Sequence, residues 1–216
     1  MNKLIFLTLV VALIAPSLCI DPPTYNYSFH ITFDDTFIVD GKNYQVNGQK
    51  FYDPVNNRER VDRANGRYDT FCSGVLPNIS TPCSHYTVSD KRWIVFPQKT
   101  QCCFCCDSAH GCGILKPDWL KAATFMGEEK IIDTVYDKWN QDGMFGYNYF
   151  YAAQDADKTP RRIDQGGKHI TDYSVHSFRK QTFPESIFAL PQYCNTQTPT
   201  NCPLESICGK LRQTKT

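Results

Sequence analysis

The stretch Cys102-Cys103-Phe104-Cys105-Cys106 limits what this chain can fold into more than any other. Neighbouring residues on a strand point to opposite faces, so adjacent cysteines can tie one strand to two layers. Cys72, Cys83 and Cys112 flank the stretch, and Cys194, Cys202 and Cys208 follow near the C-terminus. Such density suits disulfides in an oxidising compartment. A zinc site would have enough thiolates, but an oxidising compartment would compete with metal loading. Cys102 and Cys105 have the spacing of a redox pair, yet no parallel-sheet unit surrounds them. The disulfide reading is the one adopted.

The N-terminus points to that compartment. Lys3 precedes an apolar run from Leu4 to Ile14, broken only by Thr8, and small residues stand at Ala15 and Ser17. Residues 1–19 therefore read as a cleaved signal peptide, with the mature chain starting at Ile20. Cleavage removes Cys19 from a total of eleven cysteines and leaves an even number, enough for five bridges. Asn26-Tyr27-Ser28 and Asn78-Ile79-Ser80 are N-glycosylation acceptors, at Asn26 and Asn78. The expected setting is extracellular, or the lumen of a lysosome-like compartment. A formal charge of +1 marks no nucleic-acid partner. No second apolar run is long enough to cross a bilayer.

Tyr25, Tyr27, Phe29, Ile31 and Phe33 alternate with polar residues, the period of a half-buried strand. Asp40-Gly41 reads as a hairpin turn and Asn47-Gly48 as another. The first third is thus an antiparallel meander. Arg92–Phe96 and Met144–Ala152 also read as strands. Pro117 followed by Asp118-Trp119-Leu120 is the best helix candidate. Residues 20–194 are expected to form one domain and 195–216 a polar, disulfide-pinned tail. An echo links Phe51-Tyr52 with Arg60-Val61-Asp62 to Phe150-Tyr151 with Arg162-Ile163-Asp164. Alternation places Arg60 and Arg162 outward and Val61 and Ile163 inward.

Catalytic patterns are weak. There is no Gly-x-Ser-x-Gly elbow. Thiol–imidazole pairs can be written for Cys106 with His110, His169 or His176, but five histidines make such pairings cheap. The consecutive carboxylates Asp34-Asp35 and Glu128-Glu129 face apart on strands. Asp155, Asp157 and Thr159 begin like a calcium loop, but Pro160 and Gly166 stand where glycine and a bidentate glutamate are required. The expectation is a protein that is not an enzyme and has no cofactor.

In order along the chain, several motifs resemble the ependymin-related proteins. They are the Phe51-Tyr52-Asp53 hairpin ending in Arg60-Val61-Asp62, then Cys72, the cysteine-rich centre and Trp119-Leu120. Asp137-Lys138-Trp139, Phe183-Pro184 and Leu190-Pro191 with Cys194 complete them. The resemblance implies two stacked antiparallel sheets around a deep apolar pocket, similar to bacterial lipoprotein carriers. It further implies a lipid or other hydrophobic ligand, calcium association, glycosylation and homodimerisation.

The expected fold class is mainly β: two stacked antiparallel sheets in a half-open barrel or sandwich, disulfide-braced, with one or two short helices. Too little helix is foreseen to cover a broad sheet, so a second sheet should do so. Candidate cavity residues are Phe29, Ile31, Phe33, Trp93, Val95, Phe145, Tyr147 and Tyr149. The same side chains can equally meet at interior density, which would make the protein a structural or cell-matrix adhesion glycoprotein.

Overall fold

The computed structural model describes residues 20–143 and 146–214. Residues 1–19, expected to be a signal peptide, and Phe145 lie outside the described residues.

The first hairpin forms as its turn chemistry dictates. Strands β1 (Phe29–Val39) and β2 (Lys42–Asp53) are joined by Asp40 and Gly41, both at positive φ, as a tight two-residue hairpin turn demands. Asn47-Gly48 makes no turn. β2 runs straight through it, because a side chain at Gly48 would sit 2.2 Å from the ring of Phe33 on β1. The glycine is there for close packing, not for chain reversal.

The meander continues through β3 (Arg58–Arg63), β4 (Cys83–Val88), β5 (Lys91–Phe96) and β6 (Gln101–Asp107). A second series comprises β7 (Thr124–Ile131), β8 (Thr134–Gly143), β9 (Gly146–Ala153), β10 (Pro160–Gln165) and β11 (His169–Tyr173). A two-residue strand, β12 (Arg179–Lys180), pairs with β1. β1 pairs on one side with β2 and on the other with β11, so both series join in one sheet of order β6-β5-β4-β3-β2-β1-β11-β10-β9-β8-β7. The expected pair of stacked sheets is thereby corrected to one open antiparallel sheet of 12 strands. Backbone pairing is continuous across β1, and irregular chain supplies the cover that a second sheet was expected to give.

That cover follows from topology. β6 and β7 are consecutive in the chain but lie at opposite ends of the sheet order, so residues 108–123 must cross one face. This face carries Phe29, Ile31, Phe33, Trp139 and Phe150 and is called the inner face. Three backbone carbonyls tie the crossing segment down. Gly113 O accepts from Arg92 Nη2 at 3.0 Å, Leu115 O from the Tyr52 hydroxyl at 2.7 Å, and Pro117 O from Tyr25 N at 2.9 Å. Leu120 is fully buried and Trp119 meets Phe150 edge-on at 5.6 Å. The helix expected from Pro117 is a run of tight turns, with i→i−3 bonds ending at Trp119, Lys121 and Ala123. β7 begins at Thr124, which leaves little room for a regular helix after Pro117.

The short helices are α1 (Thr70–Val75) and α2 (Ile207–Gln213). Asp69 caps α1 by accepting from the backbone of Phe71 and Cys72, and Ser206 caps α2 by accepting from Gly209. Five disulfides bind these parts: Cys72–Cys83, Cys102–Cys194, Cys103–Cys202, Cys105–Cys208 and Cys106–Cys112. One edge strand thus anchors the C-terminal segment three times. On the outer face, Cys102, Phe104, Trp93 and Val95 pack with Leu190, Tyr193 and Cys194. Among the described residues, no helix is long and apolar enough to cross a membrane.

Candidate functional site

Strand register sorts the candidate cavity residues onto two faces. Phe29, Ile31 and Phe33 lie together on the inner face in one buried cluster. Trp93 and Val95 lie on the outer face, beneath residues 190–194. Tyr147 and Tyr149 are offset by odd steps from the inner-facing Phe150 and meet at a tilt on the outer side, their rings 4.8 Å apart. These described side chains therefore do not share one face of the sheet. Alternation identifies faces within a strand, but relating the faces of distant strands needs the register between them.

The chamber that does exist is walled by Tyr25, Phe29, Tyr52, Phe150, Ile163 and Tyr173 and roofed by Leu115 and Trp119. Its free volume is about 30 Å³, enough for a water or two. The crossing segment fills the remainder. Lys50 also reaches the wall and pairs with Glu59 at 2.7 Å. A larger recess of about 460 Å³ is lined by Phe71, Arg92, Ile114, Lys116, Asn148 and others. Leu115 borders both spaces.

Beside the chamber, the inner face is charged. Arg63 lies between Asp35, at 2.6 Å, and Asp69, at 3.4 Å. Asp69 also takes His85 Nε2 at 3.0 Å, and Asp35 takes His169 Nε2 at 2.8 Å and the Thr171 hydroxyl. Asp35 is fully buried and Asp69 nearly so. Burial would raise the Asp35 carboxyl, but Arg63, His169 and Thr171 together hold it below its ordinary value. Burial opposes the ionised Asp69 as well, and His85, Arg63 and the Cys72 amide outweigh it, leaving that carboxyl far below the usual range. For His85 burial wins, and its pKa is lowered despite Asp69.

Sequence reasoning missed this network. Its signal was present: Asp35 follows Phe29, Ile31 and Phe33 at the inward period, and Arg63 follows Val61 likewise. A charge at the inward position of a strand is a partnered charge. Val61 and Ile163 do pack with the inner cluster. Arg60 and Arg162, one residue away, pair instead with Asp62 and Asp172.

The thiol–imidazole pairings do not form, since Cys106 is bonded to Cys112. His85 Nε2 lies 3.3 Å from Cys72 Sγ, a sulfur already bonded to Cys83. Cys72, Cys83 and His85 form one cluster of metal-ligating types, and Cys105, Cys106 and Cys112 another, but all five sulfurs are in disulfides. In the loop of the failed calcium motif, Asp155 accepts from the backbone of Asp157 and Thr159, and Asp157 pairs with Lys180. Asn26 and Asn78 are both exposed.

No family model matches the chain, and neither does any curated protein. Among solved structures, the chain is similar to an uncharacterized conserved protein from Thermus thermophilus. The identity is 14%, the TM-score 0.49, and the match covers 77% of this chain and 87% of that one. It is also similar to a LolA superfamily protein from Nitrosomonas europaea, at 11% identity and TM-score 0.39, over 78% and 92% of the two chains. A putative outer membrane lipoprotein-sorting protein domain from Vibrio parahaemolyticus follows at 8% identity and TM-score 0.40, over 75% and 89%. Likenesses of this size establish neither family nor activity, and the ependymin-related resemblance rests on the order of motifs alone.

Proposed function

We propose that this is an exported, non-enzymatic protein that takes a hydrophobic ligand, a lipid or fatty acid, between the inner face of its sheet and residues 113–123. One observation carries the reading. The aromatic chamber is roofed by a segment without regular secondary structure, so the roof can be displaced without breaking any strand pairing. Displacement would open a floor of Phe29, Tyr52, Phe150 and Ile163 to an acyl chain. Each buried methylene contributes up to about 0.8 kcal/mol before ordering costs.

The test is titration of delipidated protein with fatty acids or lysolipids of increasing length, with native mass spectrometry of undelipidated material beside it. Affinity that rises with chain length supports the reading. A flat, millimolar response at every length refutes it.

The chamber's small free volume favours a second reading, a structural or cell-matrix adhesion glycoprotein with a packed core. Calcium association and a homodimer belong to both readings as proposals. Sedimentation of the glycosylated protein with calcium and with chelator would distinguish them: calcium-dependent self-association without any bound small molecule supports adhesion.

A further inference from the structure

We propose that Arg92 anchors the head of the ligand, and that the ligand is an amphiphile ending in a carboxylate. This rests on the reading of the aromatic chamber as a ligand chamber and names the chemistry at its mouth. Arg92 belongs to β5 and faces the inner side, where it lines the larger recess. Its Nε donates to Thr87 Oγ1 at 3.3 Å and its Nη2 to Gly113 O at 3.0 Å. Phe71 lies under its guanidinium at 5.1 Å. These contacts fix the plane and direction of the group.

What they leave over is informative. No carboxylate forms a close ion pair with Arg92 among the described residues, and Glu59 and Asp69 attract it only from farther off, whereas Lys50 pairs directly with Glu59, and Arg63 with Asp35 and Asp69. Nη1 has no partner among the described residues, and it is not among the buried side-chain atoms sealed from solvent. A positioned cation with an unused N–H thus lines a recess of about 460 Å³. Lys116 adds positive charge at the rim; Asp90, also at the rim, is engaged by Asn57 at 2.7 Å.

Geometry connects head to tail. Gly113, held by Arg92, lies two residues before Leu115, which lines both the recess and the aromatic chamber. A carboxylate on Nη1 would thus stand in the recess and its apolar chain would run past Leu115 into the chamber. The flanking contacts leave one guanidinium edge without a hydrogen-bond partner, and such an edge suits a planar oxyanion.

The experiment compares hexadecanoate, its methyl ester and hexadecanol on delipidated wild type, Arg92→Gln and Arg92→Lys, with acetate as a chainless competitor. Wild type should prefer the acid over the ester and the alcohol by about 10-fold or more. Arg92→Gln should lose that preference while keeping its affinity for hexadecanol, and Arg92→Lys should fall between. Acetate should compete only with the acid. Equal affinity of wild type for acid, ester and alcohol overturns the anchor and leaves the chamber reading standing. So does a preference that survives in Arg92→Gln. Failure of all three ligands to bind refutes both. Should Arg92→Gln not fold, the wild-type ratio of acid to ester decides alone.

Discussion

Replacing Arg63 by Met tests the charged part of the inner face. The guanidinium lies 2.6 Å from Asp35 and 3.4 Å from Asp69, with its side chain 9% exposed. At an effective dielectric of about 20 those attractions are worth roughly 6 and roughly 5 kcal/mol. Dehydrating three charges offsets most of this, so the pairing itself adds little. The loss on substitution is large for another reason: methionine would leave Asp35 and Asp69 buried without their shared cation. Arg63→Met should therefore lower unfolding free energy by about 3–5 kcal/mol at neutral pH. The melting temperature should drop by roughly 6–20 °C.

Two further readings distinguish lost charge from lost packing over the Phe33 ring, which Arg63 covers at 5.6 Å. In an Asp35→Asn, Asp69→Asn background, the same Arg63→Met change should cost much less. The His85 proton equilibrium, followed by NMR, should move upward, because Arg63 currently helps to hold it down. Denaturant unfolding of all four proteins gives the energies. An equal cost of Arg63→Met in both backgrounds, with His85 unmoved, would refute the electrostatic account.

Wild-type stability should fall in two stages on acidification. His85, lowered by burial, is protonated first in the unfolded chain, so stability declines as pH drops below about 6.5 toward its folded value. Asp35, Glu59 and Asp69 are lowered, so their contribution is full above about pH 5 and is lost as pH falls further through their folded values; calorimetry at stepped pH reads both stages. Val61→Asp and Ile163→Asp should destabilise far more than Arg60→Gln and Arg162→Gln, by roughly 2 kcal/mol or more in thermal melts, since only the first pair buries a carboxylate among apolar side chains. Leu120→Ala should cost about 2–5 kcal/mol in denaturant unfolding and leave a cavity in the buried inner-face cluster, giving uptake of a small apolar probe. Alkylation and intact mass should show Cys72 to Cys208 fully oxidised, and loss of any one bridge should cost about 2–5 kcal/mol.

Alternation made the first hairpin legible, because a half-buried strand must repeat every second residue and Asp40-Gly41 tolerates positive φ. The same alternation placed Val61 and Ile163 inward. It did not show that Asn47-Gly48 lies within a strand. A glycine beside asparagine looks the same whether it reverses the chain or receives a ring from the next strand. The split of the cavity candidates has a similar cause. Trp93 and Phe29 each alternate correctly, yet they lie on opposite faces, because several intervening strands determine their relation.

By itself, then, the sequence determined a mainly β chain, its inward and outward side chains along individual strands, and a cysteine-rich strand able to tie two layers. These are local properties, set by backbone period and covalent chemistry within a few residues. Only the tertiary structure decided that β1 joins both strand series into one sheet, and which cysteine meets which. It also decided that residues 108–123 must cross the inner face between opposite sheet edges. The charged network and the open edge of Arg92 depend on that long-range pairing. Asp35 meets Arg63, His169 and Thr171 only when three partner strands are in register, and no local pattern encodes the distance between them.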